Sequence, residues 1–197
     1  MKIASSTAAW GLALSLSALV SPAFGQAAPA QTLVPASSEV TFVARQLGVP
    51  IQGRFQRFAV RSQFDPKAPQ TSQVGIEIDL GSVSLNPDAD AELPKSEWFN
   101  TAKFPKATFQ SVSVRATGPG RFEAKGKLTI KGLAQDVTVP VQITQAAGAS
   151  GVSTATGTFS LKRTAFKVGD GDWADTSIVA DDVQVRFKFA LKNMPAL

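Results

Sequence analysis

Residues 121–144, RFEAKGKLTIKGLAQDVTVPVQIT, decide the fold. On the first arm Phe122, Ala124, Gly126, Leu128 and Ile130 fall on one side, and Glu123, Lys125, Lys127, Thr129 and Lys131 on the other. On the return arm Val137, Val139, Val141 and Ile143 alternate with Thr138, Pro140, Gln142 and Thr144. Alternation with period two marks a strand with one buried face. Gly132 sits at the connection, where a hairpin turn calls for positive φ. A lone hairpin is marginal in water, so its apolar face predicts further strands on both sides.

The flanking sequence supplies them. Upstream, 33–46 reads as a strand with Val40, Phe42 and Ala44 on one face, broken at Gly48 and Pro50. Two short strands, 51–55 and 59–64, flank Gln56-Arg57-Phe58, and Asp65-Pro66 marks a turn. Val74, Ile76, Ile78 and Leu80 alternate with polar or small residues, and Phe109, Ser111 and Ser113 share a face of 108–114. Downstream, 156–163 presents Phe159 and Leu161 together, and 183–191 presents Val183, Val185, Phe187, Phe189 and Leu191. One short helix is predicted: Asn86 is an N-cap, Pro87 suits the first turn, Asp88 and Asp90 complement the helix dipole, and Pro94 stops it. About eight strands with tight turns indicate an antiparallel sandwich or barrel. A barrel is favoured because closure removes exposed edges. Pro140, inside a strand, predicts a bulge or an opening.

Length and composition set the outer bounds. The chain has 197 residues and a formal net charge of +5, with no basic stripe or nucleic-acid module, so no nucleic-acid partner is expected. Residues 1–25 combine a basic start, an apolar middle and small residues at Ala23 and Gly25, the order of a secretory signal peptide. Residues 26–32 read as a flexible leader and 33–192 as the folded domain. Export with cleavage before Gln26 is therefore expected. With no Cys, the fold is expected to stand on its core alone.

The absence of His and Cys removes Ser-His-Asp and Cys-His nucleophile systems and the usual zinc ligand sets. The run Asp170-Gly171-Asp172-Trp173-Ala174-Asp175 fails as a calcium loop, because Ala174 and Asp175 fall where a carboxylate and a glycine are required. No cofactor or metal is expected. Small residues, Ala44, Ser111, Ser113, Ala124 and Gly126, share faces with Phe42, Phe109, Phe122 and Leu128. That pattern fits either an apolar channel or a tapered packed core.

Several motifs agree in order with one family. Residues 93–109, LPKSEWFNTAKFPKATF, resemble the central signature of the YceI-like family; GKLTIKG at 126–132 followed by VTVPV at 137–141 resembles its hairpin. Ser38-Glu39-Val40-Thr41-Phe42, Leu47-Gly48, Gly53-Arg54-Phe55 and Phe64-Asp65-Pro66 match its opening. Many members carry His before the first of these glycines, where this chain has Arg45-Gln46, so no headgroup contact by His transfers. The resemblance implies an extended, eight-stranded, lipocalin-like barrel with one short helical segment. It also implies a periplasmic protein, monomer or homodimer, that holds a polyisoprenoid or an isoprenoid quinone without chemistry on it. Relatives are tied to stress responses and to membrane cytochromes of the b561 type. On this reading the channel is lined by Phe42, Ala44, Ile76, Ile78, Trp98 and Phe99 from the first half. The second half adds Phe109, Ser111, Phe122, Leu128, Val139, Phe159, Phe187 and Phe189. Rival readings are a secreted hydrolase using Asp/Glu carboxylates, a barrel for another amphiphile such as a fatty acid, and an outer-membrane barrel. Lys125, Lys127, Lys131, Arg186 and Lys188 on the outward face count against the last.

Overall fold

The computed structural model describes residues 29–145 and 151–197. The proposed signal peptide and the Gly/Ala/Ser residues 146–150 lie outside them. Among the described residues eleven antiparallel strands form one sheet, against the eight expected. They are β1 (Thr32–Leu33), β2 (Glu39–Gln46), β3 (Val49–Phe55), β4 (Phe58–Gln63), β5 (Gln73–Asp79), β6 (Val83–Ser84), β7 (Lys106–Gly118), β8 (Arg121–Ile130), β9 (Leu133–Gln145), β10 (Val152–Lys162) and β11 (Asp182–Lys192). The difference includes the two-residue β1 and β6. The helix α1 spans Pro87–Glu92, with Asn86 Oδ1 accepting from the Ala89 N–H at 2.9 Å.

The sheet runs β4-β5-β7-β8-β9-β10-β11-β2-β3-β6, with β1 beside β11. The ladder therefore does not close on itself, as an eight-stranded barrel would. Its ends approach through single contacts instead. Gln31 bridges to Ser62 on β4 while the neighbouring β1 pairs with the end of β11. The Gln31 side chain accepts from the Ser62 hydroxyl (2.7 Å) and the Phe64 N–H (2.8 Å), and donates to the Phe64 carbonyl (3.2 Å). Gln31 is only 5% exposed, so the leader assigned to 26–32 ends before it. At the other end the 56–57 corner is held by buried Ser82, whose hydroxyl accepts from the Arg57 N–H.

The central hairpin follows its sequence pattern. β8 and β9 pair without interruption from Arg121↔Gln142 to Ile130↔Leu133. Phe122, Ala124, Gly126 and Leu128 are buried. The turn places both Lys131 (φ 51°) and Gly132 (φ 76°) in the left-handed region, the geometry that matches the twist of a two-residue hairpin. Pro140 lies where β9 has parted from β10, since their pairing ends at Gln142↔Thr156. A proline N–H is not missed along an unpaired stretch.

Strand β7 departs from strict alternation. A register shift between Ser111 and Ser113 leaves Val112 bulged and 75% exposed, and Val114 turns inward beyond it. One extra residue reverses the faces that follow, so Ser113 points out rather than sharing the face of Phe109. The outward face carries exposed Lys125, Lys127, Arg186 and Lys188. Lys131 is the exception. Its ammonium is tucked under the 163–181 connection and donates to the Lys167 carbonyl at 2.6 Å.

Candidate functional site

The inner face of the curled sheet encloses a cavity of two lobes. The larger, about 490 Å³, lies between β2, β3, α1 and the 163–181 connection, and within the range of roughly 300–1,000 Å³ typical of small-molecule sites. The smaller, about 120 Å³, lies between β4, β5, β7–β9 and β11. Six residues, Val40, Ile78, Ala107, Leu128, Phe159 and Val185, wall both, so the two lobes adjoin and together form the bore of the curled sheet.

The residues named from sequence distribute over this bore. Phe42, Ala44, Trp98 and Phe99 line the larger lobe. Ile76, Phe109, Phe122, Val139, Phe187 and Phe189 line the smaller. Ile78, Leu128 and Phe159 belong to the shared ring. Ser111 does not reach the cavity: its hydroxyl accepts from the Val74 N–H at 2.8 Å, beside the β7 bulge. Sequence reading missed Ala107, Ala155 and Val114 and the whole contribution of Phe166, Val168, Trp173 and Val179. The last four lie on the irregular 163–181 connection, where no periodicity marks an inward face.

Three phenylalanines keep the bore open by lying back against glycines. Phe42 is paired directly with Gly53, and Phe187 with Gly157. A methyl on Gly53 would lie 2.4 Å from Phe42 Cζ, and one on Gly157 would lie 2.4 Å from Phe187 Cζ. One on Gly126 would lie 2.7 Å from Phe109 Cε2 and 2.3 Å from the Gln110 carbonyl oxygen. A glycine within a strand admits such close approach of a cross-strand ring. The rings cover bare backbone rather than standing into the lumen.

The wall formed by residues 163–181 depends on Arg163, which is 3% exposed. Its guanidinium donates to the carbonyls of Val168 and Gly169 (both 2.9 Å), Trp173 (2.8 Å), Val179 (2.7 Å from Nη2) and Ala180 (3.3 Å). Burial pushes its pKa down, and the nearby carboxylates Asp181 and Asp170 push it back up. An arginine remains charged under such a shift. The acidic run of this connection is used structurally. Asp170 pairs with Lys131, Asp175 Oδ1 accepts from the Ser177 N–H, and Asp181 accepts from the N–H and hydroxyl of Thr164. Among the described residues no cluster of acidic side chains is arranged to hold a metal ion.

Trp98 and Phe99 follow α1 on a chain of turns, with the Phe99 N–H donating to the Leu93 carbonyl. They pack against Trp173 (5.3 Å between centroids) and Phe55 (6.1 Å). The segment is thus fixed as part of the cavity wall.

The YceI-like domain family matches residues 31–191 of the chain. The chain belongs to that family. Protein YceI of Salmonella arizonae is 35% identical over 106 residues, 53% of this chain and 55% of that protein, so the chain spans about half the length of the curated relatives it matches. The crystal structure of Burkholderia cenocepacia BcnA is 37% identical and superposes with a TM-score of 0.76 over 81% of this chain and 99% of its own. A polyisoprenoid binding domain from Saccharophagus degradans, implicated in plant cell wall breakdown, shares the fold at 15% identity, with a TM-score of 0.65 over 84% of this chain and 98% of its own.

Proposed function

We propose that this YceI-like protein is an exported, periplasmic carrier that holds an isoprenoid lipid or isoprenoid quinone in its bore and leaves it chemically unchanged. The observation that carries this reading is the pair of adjoining lobes, the smaller of which offers almost only apolar side chains, with Ser62 and Thr108 its polar members. The Ser62 hydroxyl is already bonded to Gln31. A polyprenyl tail entering that lobe gains about 25 cal/mol per Å² of apolar surface removed from water, so affinity needs few polar contacts. The family, and the polyisoprenoid binding domain among the structural neighbours, support the same ligand class. A membrane cytochrome of the b561 type is the partner that the family resemblance implies.

The test is direct. Protein purified from a bacterial periplasm is extracted with organic solvent, and the extract is analysed by mass spectrometry. A prenylated lipid in amounts approaching one per chain is expected, together with reloading of the stripped protein by a prenylated benzoquinone. An extract containing only bulk membrane phospholipid, with no reloading, overturns the reading. A fatty acid as the stoichiometric ligand replaces the isoprenoid by another amphiphile.

A further inference from the structure

Buried donors in folded proteins are nearly always hydrogen-bonded, because an unmade bond away from water leaves the group's desolvation uncompensated. The indole N–H of Trp98 breaks this rule: Nε1 is buried and has no acceptor among the described residues. Trp98 lines the larger lobe. A methyl on Gly169 would lie 3.2 Å from Trp98 Cζ3. Cζ3 is the indole atom farthest across the ring from Nε1, so the N–H edge faces away from the Gly169 strand of backbone. The carbonyls on that side, of Val168 and Gly169, are in any case taken by Arg163.

The rest of the lobe narrows the role of this donor. Arg163, the one cation lining the cavity among the described residues, directs its N–H groups at backbone carbonyls and presents no fork to a ligand. Gln46, Asn86, Asp88 and Glu92 also line this lobe, while the smaller lobe is almost wholly apolar. The bore therefore has a polar end and an apolar end, joined at the ring around Ala107.

We propose that the Trp98 indole N–H is the polar anchor of the ligand. It donates to an acceptor oxygen, a carbonyl or ether, on the head of a prenylated molecule whose tail runs past Ala107 into the smaller lobe. The inference rests on the isoprenoid-binding reading and sharpens it: the ligand is an oxygen-headed prenyl compound, selected over a polyprenyl hydrocarbon.

Two probes of matched chain length separate the two readings: a prenylated benzoquinone and squalene. Affinities are measured by transfer from detergent micelles to stripped wild-type protein and to Trp98→Phe, which keeps an aromatic ring but removes the donor. The quinone is expected to bind wild type more tightly than squalene does. Trp98→Phe should weaken the quinone about three- to tenfold, the weight of one hydrogen bond, and leave squalene unchanged. In wild type, the indole resonance of Trp98, identified by its absence from the variant, should move downfield and exchange more slowly with quinone but not with squalene. A Trp173→Phe protein, which keeps the Trp98 indole, assigns the same resonance, so this second readout survives if Trp98→Phe fails to fold. Equal loss of both probes, or no loss of either, overturns the anchor and leaves Trp98 a packing residue. An unmoved indole resonance on quinone binding overturns it too. Wild type that binds neither probe instead sinks the isoprenoid reading itself.

Discussion

Replacing Arg163 by Met removes every donor that gathers the 163–181 connection while keeping an apolar stem of similar length. Five carbonyls, on Val168, Gly169, Trp173, Val179 and Ala180, lose their partner together. Hydrogen bonds to a charged group are worth about 1.5–3 kcal/mol each. Simple addition would exceed a large part of the 5–15 kcal/mol that holds a typical domain together. The connection will instead release, re-expose its carbonyls to water and limit the loss. About two of the five carbonyls left dry, at about 1–3 kcal/mol each, give an expected destabilisation of about 3–5 kcal/mol. Release also bares Phe166, Val168 and Val179, which are 1%, 8% and 5% exposed in the folded protein. Arg163→Lys should recover only part of the loss, because a single ammonium cannot reach carbonyls spread around a planar fork. Urea unfolding, followed by circular dichroism for the sheet and by tryptophan fluorescence for the Trp98–Trp173 pair, reads both effects. The two transitions should coincide in wild type and separate in Arg163→Met, fluorescence moving first. Coincident transitions with a loss under about 1 kcal/mol would show that packing alone holds this wall.

Further expectations concern the bore and the pH response. Ala107→Phe places a ring at the junction of the lobes. It should cost no more than the roughly 1–3 kcal/mol of an overpacked core while abolishing copurification of lipid, and a folded variant that still carries lipid would place the ligand elsewhere. Gly126→Ala and Gly157→Ala both drive a methyl against a backbone oxygen, at 2.3 Å and 2.5 Å, whereas Gly53→Ala meets only the side chains of Phe42 and Leu85. Thermal melts should therefore drop sharply for the first two and little for the third; equal losses would refute the distinction. Burial raises the Asp181 pKa, but the two hydrogen bonds from Thr164 and the cations Lys162 and Arg163 outweigh it and leave it below the ordinary value. A folded pKa below the unfolded one, near 3.9, adds stability that is complete above that value and is lost as pH falls through the folded one. The stability gap between wild type and Asp181→Asn should accordingly be constant near neutral pH and close in acid; a gap that persists in acid would assign the effect to packing.

Regular elements were legible because their spacing is forced by the pleat. The 121–144 hairpin, the inward faces of β2 and β11 and the Asn86-capped helix could all be read from period and capping. The β7 bulge could not, since Phe109, Ser111 and Ser113 alternate smoothly in sequence and nothing there announces an extra residue. Ser111 precedes the bulge and keeps the register of Phe109, yet its hydroxyl completes a backbone donor on β5 instead of lining the channel, a partner that alternation does not reveal. Closure was misjudged for a related reason. It rests on one glutamine side chain, Gln31, in a stretch rich in Ala, Pro and Gln that carries no alternation. The larger lobe was half hidden because its outer wall is irregular backbone organised by Arg163, a residue whose partners are carbonyls and leave no trace in side-chain pattern.

The paired glycines under Phe42 and Phe187, with Gly126 beneath Phe109, carry a consequence for descent as well as for shape. The gauge of the bore is written partly in residues that a bound molecule never meets. A single-base change from glycine to alanine would tip a ring inward and narrow the passage, with every contacting side chain left as it was. Gly53 is the position of the three where the fold should tolerate that change best, since the side chains of Phe42 and Leu85, and no backbone atom, stand in the way. Selection acting there could shift a lineage between thick and slender ligands in one step, and a comparison of lining residues alone would find nothing to explain it.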